Sequence, residues 1–207
     1  MAAHRKIAAL GAASAMMFLG ASCTARPDAV TPSEGSVVYI SADYPEYGST
    51  GAAIDSADDV VVVEVGSSRQ VVEYPEMDSS GTPLENPQSG VDVSDEDLEA
   101  MSVITTVTTV EVVEVISGDL EVGDSIEVSQ LGGMRDGVTY VEESTTFLEN
   151  VESPELLLVL NDFGDGKFDL VNPVEGVLEV SGNEVEPLPG VGGHSDVSSL
   201  QELREHS

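Results

Sequence analysis

The chain has 207 residues, with 39 Asp or Glu against 7 Lys or Arg and a net charge of −32. Such a surface repels phosphate, whose binding depends on clustered Lys and Arg, so nucleic acid is not an expected partner. One cysteine and no tryptophan leave no disulfide within the chain and no indole to stack on sugars.

The first residues carry an address. His4, Arg5 and Lys6 form a basic stretch, and an apolar run extends from Ile7 to Leu19. At about 13 residues the run fits a signal-peptide core and is too short to span a bilayer, which takes about 20. Gly20, Ala21 and Ser22 then lead into Cys23, the lone cysteine. This segment resembles the lipobox of bacterial lipoproteins, with Gly20 where an apolar residue is usual and Leu19 one place further out. The resemblance implies a signal peptide over residues 1–22 and a diacylglyceryl group on the Cys23 thiol. It also implies localisation to the cell membrane, lipid-anchored on the extracytoplasmic face. Each buried methylene contributes about 0.8 kcal/mol and a single chain holds only marginally, so the two or more chains of that family suffice for attachment. The alternative is an ordinary secretory signal with Cys23 incidental. Loss of Arg5 and Lys6 with the signal leaves 5 bases against 39 acids, a net charge of −34.

Residues 24–35 (TARPDAVTPSEG) read as a tether, completing a lipidated 23–35 segment. Val dominates the apolar content, and Val and Thr favour strands over helices, which predicts a mainly β body over residues 36–186. A short first strand is expected at Val37 to Ile40, and a short helix near Ala52 to Ala57. Val60 to Val65 (VVVVEV) is a β-branched run and predicts a strand buried on both faces. Gly66-Ser67-Ser68 reads as a turn into a second strand, Arg69 to Tyr74, which Pro75 stops. Residues 75–102 form a long acidic loop, with a helical turn or two at Ser94 to Met101, Ser94 serving as N-cap.

Val103 to Ile116 is the longest predicted strand. Its alternation changes phase near Thr108 to Glu111, which predicts a bulge or a strongly coiled strand serving two sides of a small barrel. Gly118-Asp119 and Gly123-Asp124 bracket a turn, and Ser125 to Gln130 alternates with Ile126 and Val128 inward. Gly132-Gly133 and Asp136-Gly137 read as a loop. Strands are expected again at Leu156 to Leu160, Lys167 to Val171, Gly176 to Val180 and Glu184-Val185. Residues 187–207 read as a linker from Pro187 and a short C-terminal helix, with Leu200 and Leu203 on one face. Many short strands with turn punctuation predict a small antiparallel barrel or sandwich with long acidic loops.

Three stretches carry a further resemblance: Ala57 to Val62 (ADDVVV), Glu114 to Leu120 (EVISGDL) and Gly123 to Val128 (GDSIEV). With Gly132-Gly133, Leu156 to Leu160 and Gly176-Val177, they resemble uncharacterised bacterial exported domains similar to OB-like barrels. The resemblance also extends to netrin-type modules, without their cysteines. It implies a fold and no functional residues.

Catalytic chemistry is narrowed by what is missing. The histidines are His4, His194 and His206, so the β-body has neither His nor Cys. This excludes Ser-His-Asp and Cys-His catalysis there, and most zinc sites. Lys167, the body's one lysine, comes after a Gly-Asp-Gly turn and reads as a solvated hairpin residue rather than half of a Ser-Lys dyad. Asn161 to Asp169 fails as an EF-hand loop, because Phe163 and Asn172 stand at the third and twelfth positions. A looser calcium site at Asp162, Asp165 and Asp169 is the one metal reading left, against a plain hairpin turn. No phosphate loop or dinucleotide fingerprint occurs. The expectation is a membrane-anchored, non-enzymatic binding or scaffold domain with a protein or envelope partner. The alternatives are a carboxylate-dependent hydrolase and a calcium-dependent envelope-binding module.

Overall fold

The computed structural model describes residues 33–77, 80–82, 84–164, 166–189 and 195–206. Nine strands occur in them: β1 (Val37–Ile40), β2 (Asp59–Glu73), β3 (Val103–Ser117), β4 (Ser125–Arg135), β5 (Val138–Glu142), β6 (Glu155–Asp162), β7 (Lys167–Leu170), β8 (Val177–Ser181) and β9 (Glu184–Pro187). Three short α-helices accompany them, α1 (Thr50–Ser56), α2 (Asp95–Met101) and α3 (Leu200–His206), together with a single 3-10 turn at Leu148–Asn150.

The strands form one mixed sheet ordered β1-β5-β4-β3-β2-β6-β8-β9, and β7 pairs with both β4 and β6. β7 therefore closes β4, β3, β2 and β6 into a five-stranded ring. The β4–β7 pair is parallel, and the other ring pairs are antiparallel. Numbered within the ring, the strand order is 1-2-3-5-4-1, the connectivity of an OB-like barrel. The expected fold class holds, with one addition: parallel pairs at β4–β7 and β1–β5 make the sheet mixed.

Strand β2 corrects an expected turn. Residues 59–73 run as one strand along β3, and Gly66-Ser67 form a bulge between the pairs Val65–Val110 and Ser68–Thr108. A Cβ at Gly66 would lie 2.8 Å from the Thr109 carbonyl oxygen, so the backbones can approach this closely only without a side chain. The phase change expected in β3 is a set of register shifts. They lie opposite Val60/Val61 and Val62/Val63, as well as at the Gly66 bulge. Gly132-Gly133 is likewise not a loop. It lies within β4, paired with Val141 and Tyr140, and a Cβ on Gly132 would sit 2.8 Å from the Tyr140 carbonyl oxygen. The turn is confined to Asp136-Gly137, both at positive φ, and it leads into β5, a strand the sequence reading did not anticipate.

The central strands bury both faces, as the β-branched and leucine runs predicted. Val61, Val63, Val110, Val112, Leu156 and Leu158 fill the barrel with Ile126, Val128, Phe168 and Leu170. The opposite faces of β2, β6 and β8 carry Val60, Val62, Leu157, Val159 and Val180 into a second core. Ala53 of α1 and Leu200 and Leu203 of α3 cover that core. Each fully buried Val or Leu contributes roughly 1.5–3 kcal/mol of transfer free energy, so both layers hold the fold. The expected linker from Pro187 instead begins inside the fold. Pro187 ends β9, Leu188 is buried in the barrel core, and Ser199 bridges back to Glu184. The apolar side chains at 188, 197, 200 and 203 explain this docking. Helix α2 forms as expected, with a capping box between Ser94 and Asp97.

Candidate functional site

A groove of about 800 Å³ opens where the end of the β2–β3 ribbon, the β4–β7 junction and the β6–β7 turn meet. Register sets its floor. Asn161 on β6 pairs with Asp169 on β7, and Asp169 pairs with Ser129 on β4, so three polar side chains stand abreast across three strands. Glu73 at the end of β2 and Thr105 near the start of β3 face the groove from the ribbon, with the Thr105 hydroxyl donating to Glu73 Oε1 at 3.2 Å. Tyr44 and Pro45, in the segment between β1 and α1, form another wall. Tyr74, Val103 and Phe163 line the groove while leaving large apolar surface in water, Phe163 to 70%.

The groove is acidic. Asp169 stays open to solvent, but the surrounding walls remove part of its hydration. That desolvation, and then the negative charge of Glu73, pushes its carboxyl pKa above the usual value. Burial also raises the Tyr44 phenol, followed by the charge of Glu142, while a hydrogen bond with Thr145 opposes the shift and Asp169 adds to it. The described arginines are engaged elsewhere. Arg69 forms a two-pronged pair with Glu127 at 2.7 Å, Arg135 binds Glu99, and Arg204 binds Glu114. Lys167 lines the groove in no salt bridge among the described residues, and its charge makes the smallest contribution to lowering the pKa of Glu127, which the Arg69 hydrogen bond mainly causes. Among the described residues no basic side chain forms an ion pair with Glu73 or Asp169. A second hollow of about 500 Å³ adjoins across Tyr44-Pro45 and carries Asp43, Glu46 and Glu175.

The sequence-expected residues are placed unevenly. Cys23 lies outside the described residues, as do Asp165 and His194. Asp162 pairs with Phe168 and Asp169 with Asn161, so Asp162 and Asp169 point to opposite faces of the hairpin. The Asp162 carboxylate accepts the Gly164 N–H at 2.6 Å, a local turn contact. Among the described residues no group of three His, Cys, Asp or Glu gathers as a metal set. Lys167 is exposed at the start of β7. Sequence reasoning missed Glu73, Tyr44 and Phe163. The available signals were an aromatic at the tip of a Gly-rich turn and Glu-Tyr just before the strand-ending Pro75.

Among the described residues no helix is long and apolar enough to cross a membrane. No protein-family model matches the sequence, and no curated protein matches it significantly.

Proposed function

We propose that this protein is an extracytoplasmic lipoprotein, anchored through Cys23, whose barrel is a non-enzymatic binding domain with the β2–β3/β4–β7 groove as its binding surface. One observation carries the binding role: Tyr74, Val103 and Phe163, three of the large apolar side chains left exposed, gather on the rim of one groove. Exposed apolar surface collected in one place marks an interaction site, whereas scattered single residues do not. Fold analogy adds to this, because OB-type barrels bind ligands over the corresponding strands and loops. The anchor rests on the basic–apolar–small-residue run ending at Cys23.

The test is site-specific photo-crosslinking in cells. A photoreactive residue at position 163 is expected to capture a defined envelope component, and the same residue at Glu186, outside the groove, is not. Equal labelling from both positions would remove the groove as the binding surface.

A second reading, a carboxylate-dependent hydrolase, is favoured by Glu73 and Asp169 facing one groove with the Asp169 pKa raised, the pairing a proton donor and a carboxylate partner require. Turnover of envelope oligosaccharides that Asp169→Asn abolishes would establish it.

A further inference from the structure

We propose that the groove takes a cationic, extended segment of a partner protein, with a Lys or Arg head group between Glu73 and Asp169 and its alkyl stem against Tyr44, Tyr74 and Phe163. This rests on the groove being the binding surface and adds the chemistry of its occupant.

Two independent features of the groove select that chemistry. The first is excess negative charge. Glu73 and Asp169 repel one another within a partly dehydrated groove, Glu76 adds a third acid, and Lys167 is the one basic residue of the lining. The described arginines are committed to Glu127, Glu99 and Glu114. A cation entering between the two carboxylates relieves both the repulsion and the lost hydration, whereas an anion worsens both. The second is the aromatic lining. Tyr44, Tyr74 and Phe163 line the groove together with the carboxylates. Aromatic faces attract ammonium and guanidinium groups, and long basic side chains lay their methylenes along apolar surface while the head reaches a charge. Carboxylate and ring together fit an amphipathic cation better than a metal ion, which needs several converging oxygens and no ring.

The shape selects a chain over a small amine. The second hollow adjoins the groove across Tyr44, Pro45 and Pro173 and adds Asp43, Glu46 and Glu175. Acids on both sides of one aromatic ridge suit successive basic side chains of an extended segment.

The experiment uses the full-length protein in detergent micelles and a fluorescent decapeptide of alternating Lys and Ala, read by anisotropy at near-physiological salt. Decapeptides of alternating Ser-Ala and Glu-Ala, together with spermine, serve as comparators. The Lys-Ala peptide is expected to bind and the two comparator peptides are not. Glu73→Gln/Asp169→Asn is expected to weaken binding by at least about ten-fold. Glu152→Gln/Glu186→Gln, which removes equal charge from exposed positions outside the groove, should change it less than about two-fold, since distant exposed charges are screened. Phe163→Ala, at a solvent-facing turn with nothing to unfold, should weaken binding several-fold.

Equal weakening by the two double variants, or no effect of Phe163→Ala, would overturn the proposal, because the peptide would then be held by diffuse charge. No binding of the Lys-Ala peptide would also overturn it. Spermine binding as tightly as the peptide would replace the chain segment by a free amine and so overturn it too. Specific crosslinking from position 163 alongside failure of the Lys-Ala peptide would retain the binding surface and remove only the cationic occupant.

Discussion

The Asp59 carboxylate accepts the backbone N–H groups of Asp119 and Leu120 at 2.8 and 3.1 Å, tying the start of β2 to the turn at the end of β3. Gly118 allows this approach. It adopts a φ of +108°, and a Cβ there would overlap the carboxylate and fall 2.7 Å from the Asp58 carbonyl oxygen. Gly118→Ala is therefore expected to destabilise by about 3 kcal/mol or more, combining backbone strain with a clash. Asp59→Ala, which leaves two N–H groups without their acceptor, should cost about 1–3 kcal/mol. Urea unfolding of the two variants checks both, and a Gly118→Ala protein as stable as the parent would contradict this account of the turn.

Helix α3 is held by its apolar face. Leu203 is 3% exposed within the second core, whereas Arg204 reaches Glu114 in a partly exposed ion pair. Leu203→Ala should cost about 2–4 kcal/mol and Arg204→Ala much less, because its ion pair is solvent-screened. The reverse order in thermal unfolding would mean that charge, not packing, docks the helix.

Asp169 also bears on stability. Its folded pKa lies above the unfolded value, so the folded state favours the protonated acid and loses that advantage as pH rises through the folded pKa. Asp169→Asn should therefore raise Tm at pH 7. The gain should shrink as pH falls towards the ordinary value of 3.8 and vanish below it. A Tm difference independent of pH would show that the carboxyl has an ordinary environment.

Glu127 shows the opposite sign. The Arg69 hydrogen bond lowers its pKa, so the stabilisation is present above the ordinary value of 4.5 and lost as pH falls through the folded pKa. The pair is exposed and its contribution small. Glu127→Gln should lower the urea midpoint slightly at pH 7, and the difference should shrink as pH falls below 4.5, in paired denaturation curves at low salt.

Cys23→Ala is expected to move the protein from the membrane pellet to the soluble extracytoplasmic fraction, since a lipid anchor needs the thiol. Unchanged membrane association of the variant would refute the proposed anchor. Metabolic labelling with a radioactive fatty acid, lost in the variant, provides the direct chemical readout.

The sequence by itself determined most of the strands, because β-branched and leucine runs such as 60–65 and 156–160 can bury two faces only inside a layered β-fold. It also determined the absence of His and Cys from the body and the net charge, which composition alone sets. Strand β5 escaped it because Val138 to Glu142 is short and comes soon after a glycine pair that reads as a loop but lies in a strand. Ring closure was decided only in three dimensions. The parallel β4–β7 contact joins segments separated by two strands' worth of chain, and no local pattern encodes which edges meet. The groove is a product of that closure. Glu73 and Asp169 are ordinary acids among 39, and they come to line one groove only because the barrel closes with the end of β2 facing β7.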